Sequence, residues 1–375
     1  MYPRILNPIP DKSYFLLGPR ATGKTTWVKD KYPNAVYIDL LKSENFNRLI
    51  ANPTRLEQYI VNEDDWVIID EVQRVPELLN EVHRLIENRG IKFILTGSSA
   101  RKLRKGGHNL LAGRALSYQM YPLTAGEMGS DFSLAKAIKI GMLPMAQDKI
   151  SEEYLKSYVQ IYLEQEIYQE GLVRNLPNFA RFLEVASFSQ GQILVLAEIA
   201  RDVGVDGKTV GAYFQILQDL LIGYLLKPFS RRAKRRLVTH EKFYFFDTGV
   251  YRAIRPSGPL DIDEEIGGVA MESLVLSQLM ANNDLLKLGY DIGYYRTATG
   301  VEVDFVLYGK RGLVAIEVKS SIRFKEEMLS GLKKFGIDYP EAKLILLYGG
   351  DQELNVGGIK VLPAEKALKD MGEWL

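Results

Sequence analysis

Cysteine is absent from the 375 residues, and histidine occurs three times, at His83, His108 and His240. Without cysteine there are no disulfides, no thiolate metal sites and no thiol nucleophile, which excludes a disulfide-stapled secreted fold. The three histidines are too scattered for a metal cluster. No apolar run approaches the ~20 residues that a membrane-spanning helix requires. The opening Met1-Tyr2-Pro3-Arg4 lacks a signal-peptide pattern, so a cytoplasmic chain with no membrane partner is expected. Strong charge of either sign is missing too: 48 Lys and Arg against 47 Asp and Glu leave a net +1. Any nucleic-acid binding must therefore come from local basic patches and not from the field of the whole molecule. What remains is an ordinary globular composition, 46% hydrophobic and 25% charged, with length for two or three domains.

Three textures follow one another along the chain. Up to about residue 122, short apolar runs alternate with amphipathic stretches, the pattern of a parallel α/β sheet. Strands are expected at Ser13–Leu17, Ala35–Asp39, Trp66–Asp70 and Lys92–Thr96. From about 150 to 228 the chain reads as helices with short turns. Strand-like runs then return at Lys242–Phe246, Gly293–Arg296, Val301–Leu307, Leu313–Lys319 and Lys343–Leu347. Linkers or loops are expected at Gly126–Asp131 and Pro256–Gly268. The domains so defined are 1–125, 126–255 and 256–375.

Gly18-Pro19-Arg20-Ala21-Thr22-Gly23-Lys24-Thr25, with Thr26 beside it, fits the phosphate-binding loop G-x-x-x-x-G-K-[ST]. It follows the apolar run Tyr14–Leu17 and opens a helix near Lys24, so backbone N–H groups converge on phosphates at a helix N-terminus. Lys24 is assigned to the β- and γ-phosphates of ATP, and the Thr25 hydroxyl to Mg²⁺. Trp66-Val67-Ile68-Ile69 runs into Asp70, a second magnesium ligand through water, and Glu71, which is placed to polarise the attacking water. The strand Lys92–Leu95 ends at Thr96-Gly97-Ser98-Ser99, where Ser98 is the expected γ-phosphate sensor or else a helix cap. Arg114 offers a guanidinium to the transition state, in cis or in a neighbouring subunit, and Arg20 is a weaker candidate for the same work.

These segments, in this order and with Asp70-Glu71-Val72-Gln73 and Leu111-Ala112-Gly113-Arg114, resemble a large prokaryotic family of AAA-like ATPases. The C-terminal half of that family is catalogued as a domain of unknown function. The resemblance continues through Gly141-Met142-Leu143-Pro144, Tyr158-x-x-x-Tyr162-Leu163-Glu164 and Phe243-Tyr244-Phe245-Phe246-Asp247-Thr248-Gly249. It implies an α/β protein in three parts: an N-terminal AAA-like P-loop NTPase with a parallel sheet, a helical winged-helix middle domain, and a C-terminal PD-(D/E)XK nuclease-like α/β domain. It also implies an AAA-type homo-oligomeric ring.

The middle region carries a helix-turn-helix pattern of its own. Leu196–Leu217 reads as two helices around Gly204-Val205-Asp206, within a winged helix at about 190–250, with Ala200, Val210 and Leu217 inward and Lys208, Thr209 and Tyr213 on the recognition helix. Arg231, Arg232, Lys234, Arg235 and Arg236 stand where a wing would grip phosphates. A winged helix also serves ATPases as a lid or protein interface. Further on, period-two alternation groups Val303, Phe305 and Leu307 on one face of a strand and Glu302 and Asp304 on the other. Glu317 and Lys319 project together from the next strand. A hairpin would bring Asp304, Glu317 and Lys319 into a (D/E)-x(n)-E-x-K site, with the carboxylates holding Mg²⁺. Glu272 lies on an apolar helical stripe with Val275, Leu276 and Leu279, where an acid must be either paired or metal-bound; the resemblance to the nuclease-like fold implies that it is a further metal ligand. The expectation is a Mg-dependent ATPase acting on duplex or branched DNA. The alternative is a nucleotide-dependent switch whose C-terminal half binds a protein partner.

Overall fold

The computed structural model describes residues 2–63, 65–99, 111–148, 150–169, 171–231, 237–258 and 262–375. The chain divides into two units, Leu6–Tyr121 with Asp219–Leu221, and Met1–Ile5 with Pro122–Gln218 and Ile222–Leu375. Among the described residues no helix is long and apolar enough to cross a membrane.

The first unit is built on strands β1 (Tyr14–Leu17), β2 (Val36–Asp39), β3 (Trp66–Asp70), β4 (Lys92–Gly97) and β5 (Leu116–Gln119). They pair in the order β2-β3-β4-β1-β5, every pair parallel. Central strands of a parallel sheet are covered on both faces, so β1, β3 and β4 are continuous apolar runs and not alternating ones. Half-buried β5 carries Ser117 and Gln119, and no strand was expected there from the sequence. Because all five strands run the same way, Gly18, Asp70 and Gly97 end up at one edge of the sheet. β4 lies between β1 and β3, as the sensor reading of its tip requires. The Gly18 N–H donates to the Gly97 carbonyl at 3.2 Å. A methyl group at Gly18 would sit 2.2 Å from the Met120 carbonyl oxygen, so only glycine fits.

The second unit opens with a short helix, Ala125–Met128, where the sequence suggested a linker. The reason is local. Thr124 and Glu127 form a reciprocal capping box, and Glu127 is buried against the Arg4 guanidinium at 3.0 Å. Helices Leu176–Phe188, Leu196–Val203 and Gly207–Asp219 follow, with Gly204 in the left-handed conformation at φ 79°. The region expected to be helical to residue 228 instead ends in strand β6 (Gly223–Leu226), antiparallel to β7 (Lys242–Phe245). Isolated bridges join Gln190 and Ile193, which lie between the first two of these helices, to β7.

Buried Asp247, just past β7, caps the helix Thr248–Ile254 by accepting from Val250 N–H, and also accepts from Met142 N–H at 2.6 Å. Burial pushes its carboxyl up to about 6, against those backbone donors. This explains why Gly141-Met142 and Asp247-Thr248-Gly249 belong together. A methyl on Gly249 would lie 2.1 Å from the Ile140 carbonyl oxygen. Gly249→Ala is therefore expected to destabilise this unit by about 1–3 kcal/mol. The check is its urea-unfolding midpoint; a midpoint equal to wild type would show that the backbone there yields.

The remaining strands are β8 (Asp291–Arg296), β9 (Glu302–Gly309), β10 (Gly312–Lys319), β11 (Lys343–Tyr348), β12 (Leu354–Val356) and β13 (Ile359–Pro363). Their order is β12-β13-β11-β10-β9-β8, with β10, β11 and β13 parallel and the other neighbours antiparallel. The helix Asp263–Leu285, which contains Gly267 and Gly268, contributes Val275 and Leu279 to a core shared with Phe305, Leu307, Ile316 and Leu347. The helix Ser330–Asp338 contributes Leu332 and Phe335 to a second core with Val303, Val306, Ala315 and Leu346. Val303 thus departs from the face expected for it. Gly293 pairs with Val306 but Tyr295 with Val303, so β9 holds one extra residue at Asp304–Phe305. The bulge breaks the alternation just where Asp304 stands.

Candidate nucleotide and carboxylate sites

At the sheet edge of the first unit, Ala21 (φ 64°) and Gly23 (φ 92°) turn the loop back on itself, and the helix Lys24–Lys31 starts at once. Lys24 is buried, and its ammonium donates to the Gly18 and Pro19 carbonyls at 2.8 and 2.9 Å. The Thr22 hydroxyl donates to the same Pro19 carbonyl at 2.9 Å. Burial lowers the Lys24 ammonium to about 8, against the pull of Glu71 and Asp70 and with a push from Arg20. Arg20 is half-buried and Thr26 exposed at the ends of this cradle.

Asp70 is the hub of the edge. Its carboxylate accepts from Thr25 Oγ1 at 2.8 Å and from the hydroxyls of Thr96 and Tyr37. Tyr37, the second residue of β2, had no assigned role, and its phenol is raised by burial and by Asp70. A carboxylate beside a threonine hydroxyl is a hard-oxygen donor set that fits Mg²⁺. Glu71 adopts a left-handed backbone, φ 60° and ψ 45°, costly for a residue with a side chain. Its carboxylate accepts from Gln73 Nε2, which also donates to Ser98 Oγ at 3.1 Å. Buried Gln73 therefore joins Glu71 to Ser98, a bridge that the sequence pattern alone does not reveal. A methyl on Gly97 would sit 2.5 Å from Gln73 Oε1, so the glycine makes room for the bridge.

Arg114 is not brought to this site. It precedes β5, whose Leu116 is in register with Tyr14 at the start of β1, and so it lies at the edge opposite the phosphate loop. Four residues of strand, roughly 13 Å, separate the two edges. There Arg114 pairs with Glu87 near the end of the helix Leu78–Arg89. This corrects the expectation that it acts in cis.

In the second unit, Asp304 Oδ2 accepts from the Val318 N–H at 2.8 Å, and Glu317 Oε1 holds the Lys319 ammonium at 2.6 Å. Glu317 Oε2 is buried and has no hydrogen-bond partner among the described residues. Burial raises the Glu317 carboxyl to about 8, with Asp304 adding to the shift and Lys319 opposing it. Asp304 is raised by burial as well, against Lys319 and Lys242. Burial lowers the Lys319 ammonium, but Asp304 and Glu317 outweigh it and the net shift is upward. Two hard-oxygen carboxylates, one with an orphaned oxygen, fit a divalent cation.

Glu272 does not join them as a third ligand. Its Oε1 accepts from the Tyr244 hydroxyl and lies 3.6 Å from the Lys242 ammonium. Burial and Asp304 raise its carboxyl to about 7 against Lys242. Lys242 is itself buried, 2.6 Å from Glu302 Oε1, and Glu302 also faces Arg296 at 3.3 Å. Among the described residues no three Asp, Glu or His side chains converge closely enough to hold a metal ion, which corrects the three-carboxylate expectation. Lys242 and Tyr244 were missed; a lysine inside the apolar strand Lys-Phe-Tyr-Phe was the available signal.

The expected DNA-contacting residues fare differently from one another. Lys208 is exposed, and the Thr209 hydroxyl donates to Asp206 at 2.6 Å, which caps the helix Gly207–Asp219. Tyr213 is buried edge-on against Phe179 and beside Phe182, so it belongs to the core and not to a recognition surface. Arg231 pairs with Asp291 at 3.1 Å and lies over the Tyr308 ring. Arg232, Lys234, Arg235 and Arg236 lie outside the described residues.

Residues 10–129 match the family model described as AAA domain. Residues 132–264 and 267–367 match Domain of unknown function (DUF8612) and Domain of unknown function (DUF4143). The chain is 26% identical over 372 residues to the uncharacterized protein Rv2008c of Mycobacterium tuberculosis, across 94% of this chain and 80% of that one. Among solved structures it is similar to the Aeropyrum pernix ORC2 protein in its ADP form, with TM-score 0.32, 12% identity, and 72% and 88% of the two chains covered. The Aeropyrum pernix ORC1 protein in complex with DNA gives TM-score 0.25, 13% identity, and 65% and 86%. The parallel sheet, the loop at the end of β1 and the family-model match define the N-terminal unit as an AAA-type P-loop domain, the class of nucleotide-binding ATPases.

Proposed function

We propose that this protein hydrolyses ATP with Mg²⁺ in its N-terminal unit and acts on DNA through its C-terminal half. In this reading residues Gly18 to Thr26 cradle the phosphates, Lys24 neutralises their charge, and Thr25 and Asp70 hold the cation. Bound there, Mg²⁺ offsets the negative charge of the phosphates. Glu71 orients and deprotonates the attacking water, and Ser98 reports the γ-phosphate. Arg114 is left to serve a neighbouring subunit in a homo-oligomer.

The observation that carries the DNA reading is the order helix, β8, β9, β10, helix, β11, with Asp304, Glu317 and Lys319 together at one end of the β9–β10 pair. That is the arrangement expected of a restriction-endonuclease-like domain with a two-carboxylate metal site. A winged helix is supported by three helices, the isolated bridges to β7 from between the first two, and the β6–β7 hairpin. Lys208 and Arg231–Arg236 are its candidate DNA contacts.

The test is ATP turnover with and without single-stranded, duplex and branched DNA, for wild type, Glu71→Gln and Asp304→Ala. Acceleration by one DNA form, with cleavage lost in Asp304→Ala, supports the reading. Failure of every DNA form to bind at low salt in any nucleotide state ends it. A second reading, a nucleotide-dependent switch with a protein partner, is favoured by the engagement of Glu272 with Lys242 and Tyr244. DNA-independent turnover that is indifferent to changes at Arg231–Arg236 would support it.

A further inference from the structure

Four carboxylates, Glu272, Glu302, Asp304 and Glu317, gather around two ammonium groups at the end of the β9–β10 pair. The second ammonium, Lys319, belongs to the E-x-K segment. The first, Lys242, comes from β7, at least 30 residues away in sequence from any of the four acids. It lies 2.6 Å from Glu302 and 3.6 Å from Glu272, and it is 2% exposed. Two residues on along the same strand, Tyr244 donates its hydroxyl to Glu272. β7 therefore holds Glu272 by an ammonium and a phenol, and Glu302 by the same ammonium. Glu317, by contrast, keeps a buried oxygen with no partner among the described residues.

We propose that Lys242 is the positioning residue of this site: its ammonium occupies the cation place between Glu272 and Glu302. It thereby confines a divalent cation to Asp304 and Glu317. The proposal rests on the metal-capable reading above and adds what limits that site. A metal at Asp304 and Glu317 meets a fixed positive charge from β7, which lowers its affinity, and it gains no third carboxylate while Glu272 is held.

The experiment is Mn²⁺ binding to the full chain without nucleotide, read from the loss of the free-ion electron paramagnetic resonance signal. The variants are wild type, Lys242→Met, Lys242→Arg and Tyr244→Phe, each with and without Asp304→Asn. The Asp304-dependent binding isolates this site from the phosphate loop. Lys242→Met is expected to tighten it at least tenfold. Tyr244→Phe, which removes one of the two holds on Glu272 but keeps the charge, should tighten it by a smaller factor, and Lys242→Arg should stay near wild type. Circular dichroism and retained ATP binding establish that each variant is folded. Asp304-dependent binding that is unchanged or weakened in both Lys242→Met and Tyr244→Phe overturns the proposal and leaves the metal site standing. No Asp304-dependent binding in any variant removes the metal-capable reading, and this proposal with it.

Discussion

Glu71→Gln is expected to keep ATP binding and to lower turnover by about 10²- to 10⁴-fold, the usual contribution of a general base. Every contact that shapes the phosphate cradle comes from other residues: Lys24 from the Gly18 and Pro19 carbonyls, and Thr25 from Asp70. The glutamine has the size of the acid it replaces, so the loop remains. What it lacks is a carboxylate to take the proton of the attacking water. The left-handed backbone at Glu71 is an observed strain that regular strand geometry would avoid, and it sends the side chain to Gln73 and Ser98 instead of alongside Asp70. Lys24→Ala should behave differently and lose binding and turnover together, because it removes the cation itself. Binding of a fluorescent ATP analogue and phosphate release under saturating ATP separate the two outcomes. Wild-type turnover in Glu71→Gln would mean that the base lies elsewhere.

The nucleotide site was legible because its chemistry is local. One strand, one glycine turn and one lysine stand within twelve residues, and the partner acids end a strand that could only be central. The residues missed there, Gln73 and Tyr37, act through contacts between strands that spacing does not encode. The C-terminal pair Asp304 and Glu317 was legible as strand ends joined by a hairpin, but the bulge at Asp304–Phe305 was not. A bulge adds one residue without a compositional signal, and so Val303 was put on the wrong face. Lys242 was out of reach because it meets Glu272 and Glu302 only through tertiary packing. Tyr213 was a different kind of error. It stands three residues after Val210 and four before Leu217, on the same apolar stripe, so helical period alone assigns it to the core. Arg114 needed the strand register, since only the pairing of Leu116 with Tyr14 puts it at the far edge.

Glu317→Gln is expected to raise the thermal stability of the second unit at neutral and mildly alkaline pH when no divalent cation is present. The carboxyl titrates near 4.5 in an unfolded chain but near 8 in the fold, chiefly because it is buried and because Asp304 is close. A carboxyl raised in this way contributes most to stability below about pH 4.5, where both states are protonated. That contribution is lost as pH rises through 8. Glutamine is neutral throughout, so the variant and the wild type should be similar near pH 4.5 and diverge toward pH 8, the variant being the more stable. The salt bridge to the half-exposed Lys319 already opposes this shift, so the gain is the net effect, on the order of a few kcal/mol and several degrees in melting midpoint for a unit of this size. Asp247, raised to about 6, bends the pH profile of both proteins alike and cancels in the difference, whereas Glu272 acts on Glu317 and so contributes to it. Added Mg²⁺ should then close the gap, because a cation that binds the folded site stabilises the wild type in proportion to its occupancy and gives less to the variant. Calorimetry of both proteins from pH 4.5 to 8, in chelator and then in increasing MgCl₂, measures each part. A variant less stable than wild type at pH 8 in chelator would assign Glu317 to structure, and a gap indifferent to Mg²⁺ would detach its buried carboxylate from metal binding.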